Sequence, residues 1–85
     1  MNADDWRKMI VLQDGESLEH ESHRTKGFME ETDIDTYAVL GPSGTKVGSV
    51  AVSDHTAVRG FRRTVQVTQK DATGNVVVEK SYTSI

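Results

Sequence analysis

The chain of 85 residues contains no cysteine, one tryptophan, two tyrosines and two phenylalanines. Without cysteine there are no disulfides, thiolate metal sites or thiol nucleophiles, so folding rests on packing alone; the same absence suits a reducing compartment. No apolar run approaches the roughly 18 residues that a membrane-spanning helix needs. The opening "MNADDWRKMIVLQDG" places acids where a secretory signal carries positive charge. A soluble, cytoplasmic protein is expected. Apolar residues make up 35% of the chain, below the globular average, so one modest core in a single domain is expected.

The net charge of −3 is unevenly spread. Residues 1–35 carry ten acids and four bases, whereas residues 36–85 carry three acids and six bases. Halves of opposite sign can attract within one fold or steer two copies together.

Along the chain, Trp6, Met9, Ile10 and Gln13 recur at helical spacing behind a possible Asp4 or Asp5 cap, with Gly15 as a stop. The spacing predicts a helix over residues 1–14. Residues 15–35 hold few large apolar groups and fit neither helical nor strand period, so an acidic, flexible loop is expected, within which residues 16–33 can fold on binding. Phe28 and Met29 are candidate anchors for it. From residue 36 the pattern alternates. "DTYAVL" and "TKVGSVAV" flank the turn "GPSG", "SDHT" reads as a further turn, and "FRRTVQVTQ" and "VVVEKSYT" flank "KDATGN". The expected fold is α+β, with the N-terminal helix packed on a four-stranded antiparallel meander over residues 36–85. A small SH3-like barrel with an appended helix is the alternative.

Candidate chemistry is sparse. In "ESLEHESH", His20, His23 and Glu19 are the metal candidates, sharing a face if the stretch is helical. The spacing misses the HExxH pattern, and no metal or cofactor is expected. "SDHT" contains the residue types of a hydrolytic triad, but adjacent residues rarely converge as a triad must. "GPSGTKVG" lacks the residue order of a phosphate loop.

"VRGFRR" concentrates three arginines. Strand alternation puts Phe61, Arg63, Val65 and Val67 on the core side, and Arg62, Thr64, Gln66 and Thr68 on the other. Arg63 then needs an acid, sought in the acidic N-terminal half or in a second copy. The functional expectation is a non-catalytic protein-binding or regulatory module that includes self-association, with a homodimer as the form to test. Arg59, Arg62, Thr64, Gln66, Thr68 and Tyr82 are its contact residues. A nucleic-acid module using Arg59 and Arg62 is the alternative, disfavoured by the acidic balance (pI about 5.5). A small enzyme would need a cleft shared between subunits and lined by Asp54, His55 and Tyr37.

Overall fold

A computed structural model describes residues 5–26, 31–56 and 63–84. Phe28, Met29, Arg59, Phe61 and Arg62 lie outside these segments. The described chain is an all-β fold. Five antiparallel strands, β1 (Ser17–Lys26), β2 (Glu31–Leu40), β3 (Lys46–Thr56), β4 (Arg63–Asp71) and β5 (Val76–Ser84), form one open sheet in chain order. The expected α+β architecture is therefore incorrect, and the open order also sets aside the barrel. The only helical element among the described residues is a single 3-10 turn, Asp5–Lys8. No helix there is long and apolar enough to cross a membrane.

Strand alternation defines a core face and an outer face. Gly48, Val50 and Val52 on β3 and Val65 and Val67 on β4 are buried, as their spacing predicts; Val50 and Val67 are fully enclosed. They meet Val39 of β2 and the ring of Trp6, with Leu18, Tyr37 and Tyr82 packed at the margins. The outer face carries Thr36, Ala51 and Thr68 in one cross-strand row, Ser53 opposite Gln66, and His55 opposite Thr64. Small polar side chains suit the solvent side of an antiparallel sheet.

The turns follow local chemistry. Gly44 donates to the Gly41 carbonyl in the β2–β3 hairpin, and Gly74 takes a φ of 91° in the β4–β5 hairpin. There the Asp71 carboxylate accepts from the amides of Thr73 and Asn75. "SDHT" is not a turn: residues 53–56 continue β3, because Asp54 and His55 find cross-strand partners on β4 and β2. Gly48 marks a tight crossing, since a Cβ there would stand 2.6 Å from the Lys70 carbonyl oxygen.

The predicted acidic loop over residues 15–35 is largely β1 and the start of β2. β1 is an edge strand whose side chains are nearly all exposed, so it needs no apolar period. Backbone pairing and polar cross-strand contacts hold it, including Ser22 to Thr36 at 2.5 Å. A bulge at Glu21 interrupts its register between His20 and Ser22.

The predicted helix over residues 1–14, whose first four residues lie outside the described segments, is not formed from residue 5 on: the 3-10 turn Asp5–Lys8 is followed by a turn at Met9 and Ile10 and irregular backbone, and residues 6–12 form a strap lying on the core face. The apolar stripe is real: Trp6 is buried, and Met9 and Ile10 are partly so. The N-terminal segment covers the sheet, as the expected helix was to do, but only one 3-10 turn of it is helical. The side-chain amide of Gln69 accepts from the Val11 amide at 2.8 Å and donates to the Val11 carbonyl at 2.7 Å. Gln69 itself is 5% exposed. One buried side chain thus offers the strap the hydrogen bonds of a neighbouring strand and diverts it from helix.

Candidate functional site

The core face has an apolar end and a polar end. At the polar end, β1 supplies His20, His23 and Thr25, β2 supplies Asp33 and Asp35, and β3 and β4 supply Asp54 and Arg63. The bulge at Glu21 places His20 and His23, three apart in sequence, on the same face of β1. Both converge on one carboxylate oxygen. His20 Nε2 lies 3.0 Å and His23 Nδ1 2.8 Å from Oδ1 of Asp35. Glu19 lies on the opposite face, so it does not join them. Among the described residues no group of three or more histidines and carboxylates is arranged to hold a metal ion. Here the imidazoles serve as hydrogen-bond donors to Asp35.

The connectivity extends further. Thr25 Oγ1 is 3.3 Å from His23 Nε2 and donates to Asp33 at 3.0 Å. Thr25, His23 and Asp35 therefore share the order of a hydroxyl–imidazole–carboxylate relay. The hydroxyl proton, however, points to Asp33 and not to the imidazole, and His23 is half exposed. A nucleophile needs its base to take that proton, so the arrangement is an edge-strand polar lock.

An aromatic stack adjoins the cluster. His20 stands edge-on to Tyr37 at 5.2 Å, Tyr37 packs on Trp6 at 5.0 Å, and the Arg7 guanidinium sits 4.7 Å over the Trp6 ring. The polar lock thereby touches the strap.

Burial pushes the Asp35 carboxyl up, but hydrogen bonds from His20 and His23, with their charge, outweigh this and hold it below the usual carboxylate range. A carboxyl that is more acidic folded than unfolded stabilises the fold while ionised. That contribution is full above the unfolded pKa and fades as pH falls through the folded one. Urea midpoints measured from pH 6 to pH 3 should fall more steeply in the wild type than in Asp35→Asn. Parallel profiles would show that the lock contributes no pH dependence.

Asp33 and Asp54 stand directly opposite in the β2–β3 register. Like charges so placed repel, and each has a separate partner. Asp33 accepts from Thr25, while Asp54 receives Nε of Arg63 at 2.7 and 2.8 Å and its Nη2 as well. Arg63 thus does find an acid on its own face, though on the neighbouring strand and not in the acidic N-terminal half. Asp54 and His55 point to opposite faces, as successive strand residues must, so they do not line one cleft with Tyr37. Thr64, Gln66 and Thr68 lie together on the outer face, and Tyr82 flanks the core face.

A second feature lies at the hairpin end. Val11, Leu12, Val76 and Val77 are 51, 42, 52 and 51% exposed. Val11 and Val77 line a cavity of about 170 Å³ with Val39 and Val47, and Glu16, Lys70 and Asp71 stand around it. These residues were missed as a site because strap and β5 meet only in the fold. Their one sequence signal is the aliphatic runs "MIVL" and "VVV". Comparison with protein-family models, curated proteins and solved structures finds no match.

Proposed function

We propose that this chain is a non-catalytic protein-binding module that works in the cytoplasm and self-associates through the apolar surface at its hairpin end. The observation that carries this reading is that Val11 and Val77, both half exposed, line one hollow with Val39 and Val47, while their chain neighbours Leu12 and Val76 are exposed as well. Large aliphatic side chains left half exposed in one patch mark contact surfaces more often than solvent faces. The same surface bears protruding side chains, a hollow, and charges of both signs. Such a patch can complement itself across a two-fold axis, where interfaces close without leaving free ends.

The open edges support the same choice. β1 carries a bulge and charges at Glu19, Glu21, Arg24 and Lys26, features that discourage edge pairing. β5 begins with three valines. Sedimentation velocity from low to high micromolar concentration should show a monomer passing to a dimer, with Val76→Asp remaining monomeric. A wild-type chain that stays monomeric throughout would sink the proposal.

A further inference from the structure

The strap occupies a site with the features of a peptide groove. Trp6 fills a pocket walled by core valines and Tyr37, and Ile10 packs at its margin. Val11 is clamped through both of its backbone groups by Gln69. The buried Gln69 amide thus offers the main chain of the strap the paired donor and acceptor that a neighbouring strand would offer. A short turn joins this segment to β1: Glu16 donates its amide to the Gln13 carbonyl, and Gly15 adopts a φ of 80°.

We propose that this groove also accepts residues 6–12 of a second copy, the two chains exchanging straps reciprocally. The incoming segment would make the same contacts as the resident one, so exchange alters the connection and leaves the groove's chemistry unchanged. That near-equality of closed and exchanged forms is the physical basis of domain swapping. The length of the connection then decides between them. The proposal shares with the hairpin-end reading only its partner, a second copy, and does not depend on that surface.

Deleting Asp14 and Gly15 from the full chain tests it, because the shortened connection can no longer return the strap to its own sheet. The expected product is a dimer whose Trp6 emission stays as blue as the wild type's, and Val76→Asp in the same background leaves that dimer intact. A folded monomer, with Trp6 either exposed or still buried, would overturn the proposal.

Should the deletion fail to fold, a synthetic peptide of residues 3–13 provides the answer. Its host is the full chain carrying Trp6→Phe and Val11→Pro, which removes the only host tryptophan and the amide that Gln69 holds. A saturable blue shift of the peptide's tryptophan, lost on Gln69→Leu in the host, supports exchange; no shift with a host of wild-type circular dichroism overturns it. A wild-type monomer in sedimentation combined with this blue shift would reject the hairpin-end contact and retain the groove.

Discussion

Trp6→Ala is expected to destabilise the fold by about 3–5 kcal/mol, the usual range for removing a buried large aromatic. A domain of this size has a total stability of about 4–13 kcal/mol, so the variant should be partly unfolded at physiological temperature. The effect is large because, among the described residues, the sheet has no second layer of regular structure. Trp6, 3% exposed, is the largest side chain laid over Val39, Val50, Val52, Val65 and Val67. Its loss would open that face to water and leave Tyr37 and Arg7 without the ring they pack on. Urea denaturation followed by far-ultraviolet circular dichroism measures the change. A loss below about 1 kcal/mol, within the range of ordinary surface substitutions and mild core changes, would show that the strap contributes little to the core.

Gln69→Leu should follow, at about 2–3 kcal/mol. The substitution keeps much of the side-chain shape but removes the partner of both Val11 backbone groups, and each buried polar group left unpaired costs about 1–3 kcal/mol. The strap can lift to rehydrate Val11, which caps the loss. The sheet should survive that release, so the diagnostic is local. Trp6 emission should move to the red and the Val11 amide should exchange rapidly with solvent, while β3 and β4 amides stay protected. Unchanged Val11 protection would mean that the clamp is dispensable.

Much of the sheet is legible in the sequence where burial writes a pattern. Val50, Val52, Val65 and Val67 alternate because one side of each strand is enclosed, and Gly74 takes the positive φ its turn requires. β1 is illegible for the opposite reason. It buries none of its side chains fully, so hydrophobic periodicity has nothing to record, and its charges imitate those of a loop. "SDHT" misleads in the same way: its polar residues are turn formers in isolation and cross-strand partners here. The strap shows the limit of a short periodic stretch. Trp6, Met9 and Ile10 do share a buried side, but one turn satisfies that spacing, and the competing hydrogen bonds come from Gln69, 58 positions away from Val11. His20 and His23 share a face through the bulge at Glu21 and not through the helix that their spacing suggests, and their common acceptor Asp35 depends on β2 lying alongside.

The bulge at Glu21 has a consequence for how this strand tolerates change. Skipping Glu21 leaves an unbroken alternation from Leu18 to Lys26, with His20 and His23 still toward Asp35 and Ser22 still toward Thr36. Glu21 is therefore the one residue of β1 whose deletion would leave every neighbour facing as it does now, at the loss of its ion pair with Lys46. What the deletion would change is the outer border of the sheet, which would run straight and present a continuous row of unpaired backbone groups. A bulged, charged border is a poorer template for a further strand than a straight one, so the deletion is expected to raise the tendency of the chain to associate edge to edge.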